Sequence, residues 1–277
     1  MVRMQGSDTK QIAGGACDSP AAKAPAPPLP TDDWALFLDV DGCLLELADT
    51  PDAVVMPDGL RERLAALQSR LCGALALVSG RTIAKLDELF APLRFDAVGL
   101  HGAECRSRQL NSGAAAPPPA LAAIRDAAQR LAAVYEGVVV EDKGRAIALH
   151  WRRAPDAEPA LQAFAAHSLE QLPGYRLQQG RQVAELYPGG DGEGGLDKGH
   201  AIAALLEVPP YRGRTPVFAG DDFTDESGFE QVNAREGISV LVGDRSPSAA
   251  SFHLRDPAAV RAWLGVRDDM QGNHEVD

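Results

Sequence analysis

No stretch of this sequence holds the roughly 20 consecutive apolar residues that a membrane-spanning helix needs, and residues 1–30 contain no apolar run of the kind found in a secretory leader. A cytoplasmic protein with no membrane contact is the expectation. Cysteine is scarce, and Cys17, Cys43, Cys72 and Cys105 are scattered without a C-x-x-C pair. Free thiols in a reducing compartment follow as the plain reading. Positive charge is also short. Lys and Arg number 27 against 39 Asp and Glu, a net charge of -12, which argues against nucleic acid or an anionic membrane surface as partner. An anionic small molecule would then be caught by a local cationic site, against the field of the whole chain. No internal repeat is found, and an apolar content of 45% over 277 residues is enough for a full core.

Against these absences, one stretch stands out: LFLDVDGCLLELADTPDAV, from Leu36 to Val54. A short apolar run that ends in a carboxylate and a glycine turn reads as a buried parallel strand delivering acid groups at its carboxyl end. In open α/β sheets that end is where ligands bind. Asp39 and Asp41 lie two apart, so an extended backbone puts them on one face. Two such carboxylates repel each other unless a cation or a shared proton lies between them. The pair therefore asks for a metal, a phosphoryl group, or both.

The remaining chain alternates strand and helix patterns around this centre. Residues 1–31 are rich in Ala, Gly, Pro and Ser and read as a flexible tail. The strand WALFLD is followed by a helix with Leu60, Leu64, Leu67 and Leu71 on one face. Then come a strand ending in Ser79-Gly80-Arg81, the helix TIAKLDELF, and the strand FDAVG. From Cys105 the texture changes: an Ala-rich helix, then four strands with a helix between the two pairs, indicate a small α+β unit over 105–190. The Gly-rich run 189–199 reads as a hinge back to the main domain. A helix from DKG, the strand TPVFAG running into DDFTDE, the strand GISVLVG, a short helix or turn in SPSAASFHL, and a final helix capped by Asp256 complete it. The fold class expected is α/β: a Rossmann-like three-layer core with a parallel sheet over 32–104 and 191–266, an inserted α+β cap over 105–190, and a flexible tail over 267–277.

In order along the chain, DVDGC, SGR, the Lys of DKG and GDDFTDE resemble the four motifs of the haloacid-dehalogenase superfamily of phosphotransferases. Taken with GLHGAE, LHWR and ELYPGG, the set is similar to the trehalose-6-phosphate phosphatase family over roughly residues 33–265. The resemblance implies a Mg²⁺-dependent phosphatase that hydrolyses trehalose 6-phosphate, a small sugar phosphate, through an aspartyl-phosphate; a monomer is the separate expectation for its assembly. Other readings are a phosphatase for sucrose phosphate or mannosylglycerate phosphate, and a non-catalytic sugar-phosphate sensor. The sensor is disfavoured because Asp39, Asp41, Lys198 and Asp221 are all present.

The roles that follow begin with Asp39 as nucleophile and Asp41 as the acid that protonates the leaving oxygen. Asp221 completes a Mg²⁺ site with the Asp39 carboxylate and, by the resemblance, the backbone carbonyl of Asp41. Asp222 and Asp225 would orient Lys198 or metal-bound water. Ser79, Gly80 and Lys198 would bind phosphate, Ser79 doing so where a strand meets a helix; a helix cap is its plain alternative. Lys198 sits at a helix start, where a cation opposes the helix dipole, and an anionic partner explains it better than surface placement. Arg81, His101, Lys143, His150, Arg152 and Glu185 are the substrate-side candidates. For Arg81 an exposed helix-start arginine remains open, for His101 an interior histidine, and for the cap residues a solvated face. Two departures from the family pattern stand out: Cys43 where Thr is usual, and a longer run before the motif Lys.

Overall fold

The computed structural model describes residues 24–48, 53–112, 116–180, 182–189 and 196–265. In β1 (Trp34–Leu38) every side chain is buried, as an unbroken apolar strand requires when both faces are covered. There follow α1 (Leu60–Arg70), β2 (Leu75–Val78), α2 (Ile83–Phe90), β3 (Asp96–Gly99), β4 (Glu104–Arg106) and β5 (Asn111–Ser112). The cap comprises α3 (Pro119–Ala132), β6 (Val139–Asp142), β7 (Ile147–His150), α4 (Glu158–Leu169), β8 (Tyr175–Gly180) and β9 (Val183–Pro188). The chain returns through α5 (Lys198–Leu206), β10 (Thr215–Gly220), α6 (Glu226–Asn233), β11 (Ile238–Val242), β12 (Phe252–Leu254) and α7 (Pro257–Trp263).

The main sheet has eight strands in the order β12-β11-β10-β1-β2-β3-β4-β5. Neighbours from β12 to β3 are parallel, whereas β4 and β5 are antiparallel. The chain leaves β1 towards β2 and β3, and after the cap it comes back on the other side of β1 as β10. That reversal opens a crevice at the carboxyl ends of β1 and β10. Leu38 is in register with Ala219, and the Asp39 N–H donates to the Ala219 carbonyl at 2.9 Å. Asp39 is thereby set beside the residues that follow β10. Leu36, Phe37, Leu38, Val217, Phe218 and Ala219 are wholly buried in the one large core cluster. Each such large side chain contributes about 1.5–3 kcal/mol.

The cap sheet is antiparallel, in the order β6-β7-β9-β8. Its strand alternation sorts side chains between two faces. Ile147, Leu149, Ala184 and Leu186 pack with Leu121, Ile124 and Leu161 of the helices. Glu141, Ala148, Glu185 and Gln178 lie in register across the opposite face. A small apolar seam of Leu100, Ala103, Ala146 and Tyr187 joins cap to core.

The structure departs from the sequence reading in four places. Residues 105–112 belong to the main sheet and not to the start of the cap, because β4 and β5 add to its β3 edge. SPSAASFHL ends in a strand: Phe252–Leu254 pairs with Val240–Val242 and packs Phe252 and Leu254 against the core. Ser79 is not a helix cap; Thr82 caps α2, its hydroxyl accepting from Lys85 N–H at 3.2 Å. Residues 24–30, read as part of a flexible tail, are docked. The Pro25 carbonyl accepts from His253 N–H (2.9 Å), Pro28 from the Trp263 indole (2.7 Å) and Pro30 from Arg70 (2.6 Å). Proline carries an acceptor but no donor, so a Pro-rich strap can satisfy donors on the edge strand β12 and on α7 and α1. Residues 1–23, the tail from 266 onward and most of the Gly-rich hinge (190–195) lie outside the described residues.

Comparing chains that begin at residue 24 and at residue 32 isolates the strap. Loss of its three acceptors is expected to lower stability by about 1–3 kcal/mol, read by urea unfolding. Equal stability of the two chains would contradict the docking.

Candidate active site

The floor of the crevice is built on a buried cation. Lys198, the first residue of α5, donates from Nζ to Asp39 Oδ1 at 2.8 Å and to Asp225 Oδ1 at 2.7 Å. Asp197 caps this helix through the His200 N–H at 2.8 Å. Burial alone would depress the Lys198 ammonium, but Asp225 and Asp39 outweigh it and raise it. Asp225 is wholly buried, and its second oxygen accepts from the N–H groups of Asp221 and Asp222, both at 2.9 Å. Gly220 gives it room, since a Cβ there would lie 2.4 Å from the Asp225 carboxyl carbon.

Asp39, Asp221 and Asp225 each bring an oxygen within 4.8 Å of the others. One ammonium faces three carboxylates, so the cluster is short of positive charge. Burial pushes Asp39 well up, and burial with the charges of Asp225 and Asp222 pushes Asp221 up to about 7. Asp225 has both oxygens engaged, whereas Asp221 Oδ1 is buried without a hydrogen-bond partner. Gly42, at φ +84, brings the turn onto Asp221 so closely that a Cβ would sit 2.1 Å from Oδ2. Hard oxygen donors with an unsatisfied buried carboxylate fit a divalent cation such as Mg²⁺. Asp39 and Asp221 are the donors available, with Asp225 holding them in place.

Asp41 is turned onto Arg81 in a two-point ion pair, Nε to Oδ2 and Nη2 to Oδ1, both 2.7 Å. Both Asp41 carboxylate oxygens are thus taken up by Arg81. Ser79 is buried, and its hydroxyl accepts from Arg81 N–H at 3.1 Å. His101 follows β3 in a left-handed turn (φ 56), its N–H donating to the Ser79 carbonyl at 3.1 Å. Its ring is buried between Gly80 and Tyr187, 4.7 Å from the Tyr187 ring centre, with Nε2 3.5 Å from Glu185. Gly80 is required there, because a Cβ would come within 2.6 Å of that ring.

From the cap, Lys143 donates to both oxygens of Glu185 at 2.8 Å and to the Gly80 carbonyl at 3.1 Å. His150 pairs with Glu141 at 3.1 Å. Arg152 donates to the Ala48 carbonyl at 2.9 Å, a direct tie from cap to core. Every expected site residue except Asp225 lines one cavity of about 610 Å³, and Asp225 lies directly behind it. Asp222 and Asp225 divide between the two sides of the site. Asp222 meets the cap through Gln178 (3.0 Å), whereas Asp225 holds Lys198. Sequence reasoning missed Glu141 and Gln178. Both sit on the polar side of strands whose alternation was legible, and that alternation was the available signal.

The acid-bearing crevice at the switch point, the buried lysine between two carboxylates and the inserted cap give the fold a likeness to phosphatases of the haloacid-dehalogenase superfamily. A phosphatase of that superfamily from Bacteroides thetaiotaomicron shares the fold at a TM-score of 0.51 and 15% identity, over 92% of this chain and 100% of that one. Closer in fold is the C-terminal domain of Candida albicans trehalose-6-phosphate phosphatase, with TM-score 0.72 and 22% identity over 89% of this chain and 98% of that one. In sequence, the chain is 43% identical over 234 residues to trehalose-6-phosphate phosphatase of Escherichia coli, covering 83% and 85% of the two. A probable trehalose-phosphate phosphatase of Sinorhizobium fredii is 41% identical over 236 residues, covering 85% and 86%. The model of the trehalose-phosphatase family matches residues 37–258. The chain belongs to the trehalose-phosphatase family.

The Lys143–Glu185 pair gives a pH-dependent expectation. Burial would raise the Glu185 carboxyl, but Lys143 and His101 outweigh it and lower it to about 2 from an ordinary 4.5. A folded-state value below the unfolded one stabilises fully above the unfolded value and fades as pH falls towards 2. Glu185→Gln should therefore cost on the order of 2–3 kcal/mol at pH 7 and clearly less near about pH 3.5, by urea unfolding. An equal cost at both pH values would contradict the ion pair.

Proposed function

We propose that this protein is a cytoplasmic, Mg²⁺-dependent phosphatase that releases trehalose and inorganic phosphate from trehalose 6-phosphate through an aspartyl-phosphate on Asp39. The observation that carries this reading is the shared cavity. Asp39, Lys198 and Asp221 form one wall, while Glu141, Lys143, His150 and Glu185 of the cap form the other. A phosphoryl group suits the first wall and sugar hydroxyls suit the second. The volume lies within the roughly 300–1,000 Å³ of small-molecule sites. The described cysteines, Cys43, Cys72 and Cys105, are free thiols, in keeping with a reducing compartment.

Phosphate-monoester hydrolysis needs accelerations up to about 10²¹-fold, and general acid–base help supplies only about 10²- to 10⁴-fold. Positioning and charge neutralisation must do most of the work. Lys198 holds Asp39 through one oxygen, fixing the carboxylate for in-line attack, and adds positive charge where the phosphoryl group docks. Bound by Asp39, Asp221 and the Asp41 carbonyl, Mg²⁺ would offset the phosphoryl charge. Asp39 attacks phosphorus; a bond to its carboxylate forms as the bond to the sugar oxygen breaks, and Asp41 gives that oxygen a proton. Asp41 then takes a proton from the water that attacks the acyl phosphate, which frees Asp39 and inorganic phosphate. Arg81 occupies both Asp41 oxygens in the free protein. An arriving phosphoryl group competes for that guanidinium, and the Asp41 carboxylate it frees takes up from solvent the proton that it then gives to the leaving oxygen. The cap contacts keep bulk water out until the acyl phosphate has formed.

Phosphate release from a panel of sugar phosphates, with Mg²⁺ and with EDTA, tests the reading. Trehalose 6-phosphate is expected to be preferred and EDTA to stop release. Preference for sucrose phosphate or mannosylglycerate phosphate would keep the chemistry and overturn the substrate. Asp39→Asn is expected to abolish turnover in a folded protein, and retained turnover would remove Asp39 as nucleophile. Glu185→Ala should impair trehalose 6-phosphate far more than p-nitrophenyl phosphate. Equal losses would remove Glu185 from sugar recognition.

A further inference from the structure

Arg245, in the loop after β11, carries a set of contacts that sequence motifs do not account for. Its Nε donates to the Asp221 carbonyl and its Nη2 to the Asp222 carbonyl, both at 3.2 Å. The same Nη2 pairs with Glu226, and Nη1 donates to the Pro247 carbonyl at 3.0 Å. The guanidinium lies 4.5 Å above the Phe223 ring, which shields it on one side. The side chain is only 13% exposed. Glu226 is fixed in turn, its second oxygen accepting from the Ala249 N–H at 2.7 Å.

What this does for Asp221 follows from what Asp221 lacks. Among the described residues no N–H group aims its buried Oδ1, and the only side-chain neighbour that can share a hydrogen bond with this carboxyl is Asp39, itself an acid. Its direction into the crevice must come from the backbone that carries it. That backbone is held on one side by Asp225, which accepts from the Asp221 and Asp222 N–H groups. Arg245 holds the opposite side, by the carbonyls of the same two residues. A planar, five-donor guanidinium can bridge two successive carbonyls and a carboxylate at once, which an ammonium on a flexible stem does poorly.

We propose that Arg245 is a positioning residue for the divalent-cation site, clamping the Asp221–Asp222 backbone so that the Asp221 carboxylate is presented to the metal. The proposal rests on the reading of Asp221 as a metal ligand. Groups that orient metal ligands commonly account for about 10- to 100-fold in metal affinity, and Arg245→Met is expected to weaken Mg²⁺ binding within that range. Arg245→Lys should weaken it less, while its metal-free melting temperature stays near that of the unaltered protein. Turnover of both variants should recover at saturating Mg²⁺.

The test is calorimetric titration of the full chain with Mg²⁺ alone, without substrate, beside thermal melts of the metal-free forms. A lower melting temperature for Arg245→Met with unchanged Mg²⁺ affinity would make Arg245 merely structural and overturn the proposal. If Arg245→Met does not fold, unchanged affinity in Arg245→Lys overturns it equally. No Mg²⁺ binding by the unaltered protein would overturn the metal reading and this inference together, whereas binding that is indifferent to Arg245 overturns the inference alone.

Discussion

The Lys198 ammonium, buried between Asp39 and Asp225, is the interaction on which the rest of the site depends. A charge removed from water is tolerated only when it is paired and hydrogen-bonded, and Lys198 meets two carboxylates from different strand ends. It thereby ties the start of α5 to the turn after β1 and to the turn after β10. Gly199, next along α5, lets the helix approach closely; a Cβ there would fall 2.4 Å from the Ser227 carbonyl oxygen. Asp225 passes the constraint on to Asp221 and Asp222 through their backbone N–H groups. One cation thus fixes the geometry of the acids, and it leaves them with a shortfall of positive charge that a divalent ion would make up.

The two walls of the cavity are linked by contacts that cross from cap to core. Lys143 bridges the cap carboxylate Glu185 and the carbonyl of Gly80, in the turn that also carries Ser79 and Arg81. Gln178 reaches Asp222, the neighbour of Asp221, and Arg152 reaches Ala48 beyond the acid pair. A sugar that inserts between Lys143 and Glu185 would disturb the same lysine that touches the phosphate-side turn. The cap side chains satisfy one another, Lys143 with Glu185 and His150 with Glu141, which limits the cost of keeping charges in a partly buried site.

Much of this was legible in the chain. β1, β10 and the acids after them could be read because an apolar run covered on both faces has a plain signature and ends where the backbone turns to the ligand. Lys198 stood out because a cation at a helix start calls for a partner. Other features were not legible for physical reasons. Arg245 acts through backbone carbonyls, which no residue type advertises. The strap at residues 24–30 has a composition typical of disorder and is ordered by donors far away in sequence. The strand at Phe252–Leu254 is too short for alternation to show. The Arg81–Asp41 pair joins two recognised motifs whose spacing says nothing of contact.

The most direct test of the central claim is an acid quench during turnover of trehalose 6-phosphate, followed by mass mapping of the peptide that carries Asp39 and Asp41. An acid-stable, base-labile phosphate on Asp39 is expected, absent when the substrate or Mg²⁺ is withheld. Full turnover with no phosphate on that peptide, or with phosphate on another residue, would contradict it.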